Sequence, residues 1–360
     1  MKQSLLFLPD ISGFTHFVQN TEVAHSQHVI AELLDILANA NTLDMELAEV
    51  EGDALFFYKE EIPSQEKILA QVETMFSAFN SHLKLLEKNR ICPCNACSTA
   101  PNLELKIVAH SGELQFINVQ GKRKPFGTMV IEVHRLMKNS VDSNNYVLIS
   151  KPLSDELKML DNYCSKLYQF SKGSDSYDGK VIDYIFSEID NNNLILSPFP
   201  SSKTVKFDEK PSIYQTYTFD VSANVLLEYI TNYSYRHYWV NGVDKFIYNE
   251  NEVTRLDSPH VCVINGQHLD FVVVVKEGQP KQLIYGELTT SPGMVDEMYQ
   301  FFILTPVSEN KCQVEVEVYF KAKSIFKKLM IALIVKSKIS KSTMKNMEML
   351  QKLAQVGVNK

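Results

Sequence analysis

The chain has 360 residues, 45% of them apolar, and a net charge of −7. That length and apolar content suit two domains of ordinary size, each with its own core, and the acidic balance argues against nucleic acid as a partner. The N-terminal run from Met1 is strand-like with Asp10 close behind, unlike a secretory leader, and no apolar run approaches the roughly 20 residues of a membrane span. Of six cysteines, Cys92, Cys94 and Cys97 cluster and Cys164, Cys262 and Cys312 are scattered, which is not a secreted disulfide framework. The expected setting is the cytoplasm.

The apolar run Leu5 to Leu8 predicts a short buried strand that ends at Asp10. A Ser12-Gly13 turn follows, then a helical segment with Phe14, Phe17 and Val18. Residues 21–39 carry Val29, Ile30, Leu33, Leu34 and Leu37 at helical spacing. Leu43 to Glu49 and Ala54 to Tyr58 read as a hairpin across Glu51-Gly52-Asp53. A helix from about Ser64 to Glu87 leads to the cysteine-rich loop. Leu103 to His110 is a strand and Glu113 to Val119 a second extended stretch, followed by a basic loop, Lys122 to Pro125. Thr128 to Met137 is a helix, and Val147 to Ile149, Leu167 to Phe170 and Val181 to Phe186 are strands. Asn, Pro and Ser clusters, including Ser197 to Ser202, mark 190–210 as a linker between a unit at 1–189 and another at 211–360.

The second unit opens with a strand, Tyr214 to Val221, then Ser222 as N-cap of a short helix. Trp239, the single tryptophan, comes next. Six strands follow between Asp244 and Lys321, and a long amphipathic helix, about Ser324 to Ala354, ends the chain. Both units are therefore expected to be α+β, the second an antiparallel sheet under a terminal helix.

Asp10 at a strand end and Asp53 in a turn between the next two strands would meet at one sheet edge if those strands flank the first. Two carboxylates plus phosphate oxygens suit Mg²⁺, which keeps waters and takes few protein ligands. Taken alone, a strand-end Asp more often caps a helix or shapes a turn.

Asp10-Ile-Ser-Gly-Phe-Thr15 and the Gly52-Asp53 turn resemble the class III adenylyl/guanylyl cyclase catalytic domain. Further pieces follow in the family's order: His110-Ser-Gly112, the helix Phe126-Gly-Thr-Met-Val130 to Arg135-Leu, and Ser171-Lys172-Gly173. Together they span about residues 4–187. The whole unit also resembles an uncharacterised bacterial subfamily of that fold bearing a Cys-x-Cys-x-x-Cys insert. The resemblance implies a ferredoxin-like α/β sandwich and a nucleoside triphosphate as ligand. Asp10 and Asp53 would hold Mg (or Mn), and Ser12, Gly13, Phe14 and Thr15 would cradle the triphosphate. Arg135 and Lys172 would stabilise charge on the phosphates. It also implies a homodimer, because the family's sites lie between two subunits. Glu49 falls where the family selects its purine, and a carboxylate there can accept from guanine N1–H and its 2-amino group. Two departures stand out. Ile131 replaces the Asn expected four residues before Arg135 and cannot hydrogen-bond a ribose. Lys124 occupies the second base-reading position, where it can donate to a carbonyl but not accept from an amine. The readings are thus a 3′,5′-cyclising enzyme or a nucleotide-binding domain without turnover.

Cys92, Cys94 and Cys97 place three thiols within six residues of a turn-rich loop. They suit one structural Zn²⁺, with His82, His110 or water as fourth ligand, or they are reduced, partly exposed thiols. The layout of 211–356 resembles START-like, polyketide-cyclase-like helix-grip proteins. That implies a cavity for a lipid or other small apolar ligand, with Trp239, Phe246, Phe271, Tyr285, Phe301 and Phe326 as candidate lining residues; the plain alternative is that these aromatics are core. His237, His260 and His268 read as exposed and show no site-like spacing. Between Lys321 and Lys360 there are ten lysines and one glutamate. Leu329 to Val335 is apolar on all sides and is expected to be buried against the sheet. The helix then either closes the cavity with its lysines in solvent or touches an anionic membrane surface.

Overall fold

Leu5 to Leu8 is apolar at every position, the pattern of a strand covered on both faces. In the computed structural model, which describes residues 3–21, 23–199, 204–290 and 295–357, that run is the middle of a longer strand, β1 (Gln3–Ser12), with Leu5 to Leu8 all buried. Pro200, Ser201 and Ser202 of the expected linker, and Lys360, lie outside the described residues. The chain divides into two units, Met1–Glu87 with Asn95–Phe199, and Lys88–Cys94 with Pro200–Lys360.

The first unit continues with α1 (Phe14–Gln19), α2 (Val23–Asn39), β2 (Glu46–Glu51), β3 (Ala54–Lys59) and α3 (Gln65–Lys88). Then come α4 (Asn95–Thr99), β4 (Glu104–Glu113), β5 (Gln115–Val119), β6 (Lys122–Phe126), α5 (Thr128–Leu136), β7 (Tyr146–Ser150), α6 (Lys151–Glu156), β8 (Ser171–Tyr177) and β9 (Lys180–Glu188). Its main sheet runs β2-β3-β1-β4-β7-β9-β8, so β1 is flanked by β3 and β4. All pairings are antiparallel except β4 with β7. Leu6 and Leu8 join Phe56, Val108 and Leu148 in a core that α5 closes with Val133 and Leu136. Leu5 and Phe7 alternate to the opposite face and are equally buried. The edge strand β2 carries Glu46, Glu49 and Glu51, charges that discourage further pairing there.

Three local expectations change. The basic loop Lys122 to Pro125 is strand β6, paired with β5 in a separate two-stranded sheet. Leu167 to Phe170 contributes only an isolated bridge, Cys164 with Gln169, and the strand lies just beyond, in β8. Lys172 therefore lies on this strand. The helix α6, capped by the Ser150 side chain, was not expected.

The second unit holds β10 (Thr204–Val205), β11 (Ile213–Phe219), α7 (Ala223–Thr231) and α8 (Tyr233–Arg236). A meander follows: β12 (Lys245–Ile247), β13 (Pro259–Ile264), β14 (Gln267–Lys276), β15 (Leu283–Thr289), β16 (Glu297–Ser308) and β17 (Lys311–Lys321). The sheet order is β11-β17-β16-β15-β14-β13-β12, antiparallel throughout, with β10 adding to β14 in parallel. Ser222 caps α7 by accepting from Val225 N–H, as its position predicts. The chain then enters α9 (Ile325–Met330), a π-helical turn (Ile331–Val335) and α10 (Lys336–Val356). Met347 and Leu350 of α10 are fully buried in a core with Leu226, Trp239, Phe302 and Val314. The segment 88–94 belongs to this unit: Asn89 exchanges hydrogen bonds with Leu256, and Ile91 packs on the same core. Among the described residues, no helix is long and apolar enough to cross a membrane.

Candidate functional site

Strand register explains the meeting of Asp10 and Asp53. Asp10 sits opposite Ala54 on β3 and opposite Lys106 on β4. Asp53 is the last residue of the β2–β3 turn, which Gly52 makes possible at φ +71°. The Ile11 N–H donates to the Asp53 carbonyl at 3.0 Å, fastening the turn to β1. Burial, and next the neighbouring Asp10 charge, push the Asp53 carboxyl up to about 6. Lys106 Nζ lies 2.8 Å from Asp10 Oδ2 and offsets part of this negative charge. The pair thus has one cation beside two carboxylates, a donor set that suits a small divalent ion. Two residues beyond Asp10, the Ser12 hydroxyl is buried and has no hydrogen-bond partner among the described residues. A polar atom so placed suits a ligand that would satisfy it. Gly13 follows in the left-handed region at φ +88° and starts α1, where Phe14 and Thr15 lie.

The remaining expected site residues are placed as follows. Glu49 on β2 and Lys124 on β6 form an ion pair, with Nζ 3.0 Å from both carboxylate oxygens. Arg135 near the end of α5 pairs with Asp178 in the β8–β9 turn. Lys172 Nζ is 2.8 Å from Asp161. Ile131, one turn before Arg135, is 53% exposed. Beside Arg135, His134 meets Glu51 at 2.9 Å. His110 is buried, its Nδ1 2.8 Å from the Ser150 hydroxyl, and burial lowers its pKa to about 4.

The cysteine loop gains a partner that the sequence reading did not name. Ligand atoms of His25, Cys92, Cys94 and Cys97 all lie within 4.8 Å of one another. Cys97 Sγ is 3.5 Å from His25 Nδ1. His82 is held by Glu32 at 2.7 Å and His110 by Ser150, so neither expected fourth ligand is in the cluster. Sequence spacing cannot find His25, because it precedes the loop by a helix and a hairpin.

In the second unit the expected lining residues separate. Trp239 and Tyr285 share the core under α10, whereas Phe301 belongs to a cluster with Tyr299, Ile303 and Tyr319 on the other face of the sheet. Phe271 stacks on His260, with ring centroids 5.1 Å apart. Phe326 is exposed, and so is not part of a cavity wall. His260, expected to be exposed, is buried. It belongs to a polar network that sequence reading missed. Arg236 donates to Glu287 at 2.5 Å and to the Tyr285 hydroxyl at 2.8 Å. Tyr233 bridges Tyr285 to His260, whose Nε2 is 3.2 Å from Glu287 but out of hydrogen-bond alignment.

A family described as a protein of unknown function (DUF2652) matches residues 30–146. An uncharacterized protein of Mycobacterium tuberculosis (Rv2561/Rv2562) is 31% identical over 121 residues, which is 34% of this chain and 57% of that relative. Among solved structures, the adenylyl cyclase CyaB from P. aeruginosa is similar with a TM-score of 0.39 and 16% identity, over 52% of this chain and 94% of that one. The guanylate cyclase domain of RhGC from Catenaria anguillulae in complex with GTP gives a TM-score of 0.36 and 15% identity, over 52% of this chain and 98% of that one.

Proposed function

We propose that the first unit binds a purine nucleoside triphosphate through a divalent cation, Mg²⁺ or Mn²⁺, held by Asp10 and Asp53. The observation that carries this reading is the shared strand end, where Asp10 and Asp53 face each other beside the unpartnered Ser12 hydroxyl. Such an ion supplies charge neutralisation for the triphosphate. The chain's own residues do the rest. Lys106, with Nζ 2.8 Å from Asp10 Oδ2, holds that carboxylate in place. The backbone from Ser12 to Thr15 lies next to the carboxylates, where phosphate oxygens would sit. Arg135 and Lys172 would exchange Asp178 and Asp161 for phosphate; exposed ion pairs of this kind are worth about 0–1 kcal/mol, so the exchange is inexpensive. Glu49 would read guanine in the same way, by releasing Lys124 toward the base carbonyl.

The finer reading is cyclisation to a 3′,5′-cyclic nucleotide at an interface between two copies of the chain. Asp10, Asp53, Arg135 and Lys172 favour turnover, and Ile131 favours binding without it. Calorimetry of the full chain with Mn²⁺ and a non-hydrolysable GTP analogue tests the binding claim. Asp10→Ala/Asp53→Ala is expected to lower affinity at least tenfold, and equal affinity in wild type and variant would refute it. Incubation with GTP or ATP then separates turnover from binding by the presence of cyclic product.

A second reading rests on its own observation, the four-ligand cluster of His25, Cys92, Cys94 and Cys97. Three thiolates and an imidazole match the closed tetrahedral shell of structural zinc. Metal analysis of the purified chain should give one zinc per chain, lost in Cys94→Ser and reduced in His25→Ala. Metal-free wild type would end this reading. For the second unit, a small apolar ligand or lipid in the manner of helix-grip proteins has in its favour the antiparallel sheet closed by α10, although Trp239 and Tyr285, two of its expected lining residues, are packed in the core.

A further inference from the structure

Leu329 to Val335 is apolar all round, which predicts burial. Only Val335 is buried. Ile325 is 86% exposed, Phe326 70%, Leu329 55% and Leu333 67%, and Ile334 is exposed beside them. At about 100° per residue, positions 325, 326, 329 and 333 fall within roughly one quarter to one third of the helix circumference. The π-helical turn adds a residue between α9 and α10, which turns Val335 inward while leaving its neighbours outside. These exposed apolar side chains lie together on one face, unlike singly scattered surface hydrophobics.

Its frame is cationic. From Lys321 to Met347 the sequence holds eight lysines and neither Asp nor Glu. Lys323, Lys328, Lys336 and Lys338 are exposed around the apolar face. Asp296 and Glu297 are paired with Lys327 and Lys321, two of these lysines. Self-association through this face would set lysine against lysine, so charge argues against a second copy as its occupant. A membrane-crossing role is excluded by the length of the apolar run, which suits a helix lying in an interface.

We propose that the helix over 325–338 docks on an anionic lipid surface, lying in its plane, with Ile325, Phe326, Leu329 and Leu333 entering the acyl boundary and the surrounding lysines reaching the headgroups. Lysine stems can cover apolar surface while their ammonium groups stay at the headgroup level. This proposal is independent of the nucleotide reading, because it uses residues of the second unit only.

Co-sedimentation of the full chain with vesicles provides the test. The chain is expected to pellet with phosphatidylcholine–phosphatidylglycerol vesicles, not with phosphatidylcholine alone, and less at high salt. Phe326→Ser/Leu329→Ser should lower the partition constant by about tenfold per side chain. Lys323→Gln/Lys328→Gln should lower it about fivefold per lysine. Both variants change exposed side chains, so unchanged thermal unfolding will confirm that the fold is retained. Equal pelleting with neutral vesicles, no pelleting with either, or variants that bind like wild type would overturn the proposal. So would a lipid-free dimer, seen by sedimentation velocity, that the Phe326→Ser/Leu329→Ser variant dissolves.

Discussion

Asp53 shows how burial and a neighbouring charge set one residue's contribution to stability. Its carboxyl titrates at about 6 in the folded chain, against 3.8 ordinarily, so the folded state holds that proton more tightly than the unfolded state does. Its contribution to stability is therefore present at low pH and is lost as pH rises through about 6. Asp53→Asn removes both the desolvated charge and the repulsion with Asp10. The variant should melt at the same temperature as wild type near pH 4 and a few degrees higher at pH 7. Mn²⁺ should raise the melting temperature of wild type above pH 6, and leave the Asn variant unchanged. Identical melting curves at pH 7 without metal would show that the two carboxylates do not burden each other.

At the scale of elements, the network around Arg236 ties α8 to β13 and β15 inside an otherwise apolar core. Burial opposes the charge on Glu287, but Arg236, and after it His260, hold its carboxyl well below the usual range. Glu287→Gln would leave a buried guanidinium without its counter-charge, at a cost of about 3–5 kcal/mol. The sign with pH is opposite to that of Asp53. A depressed carboxylate stabilises above its unfolded pKa and loses this as pH falls, so the gap between wild type and Glu287→Gln should narrow below about pH 4. Denaturant titrations across pH measure it directly. The same elements show what strand patterns reveal. β14 to β17 alternate or run apolar as strands do, and all four lie within the stretch between Asp244 and Lys321 where strands are expected. The partner of each buried polar group depends on register, which no local pattern carries.

For the molecule as a whole, the interface reading makes a kinetic prediction. If the nucleotide is held between two copies, turnover or analogue binding per chain should rise with chain concentration until the dimer saturates. Independence of concentration over the dissociation range would instead assign a complete site to one chain.

Much of this protein was legible before its structure. Asp10, the Gly52-Asp53 turn, the α5 helix with Arg135, and the meander ending in a long helix are encoded locally, in apolar periodicity, turn glycines and caps. Lys106 opposite Asp10, the Glu49–Lys124 pair, His25 among the cysteines and His260 beside Glu287 were not, because each joins residues distant in the chain. The terminal helix shows the limit most clearly. Its sequence determined that it is a helix, that it is basic and that seven successive residues are apolar. Only the tertiary structure decided that most of those residues face outward, since burial depends on which surfaces the rest of the unit leaves available to cover them.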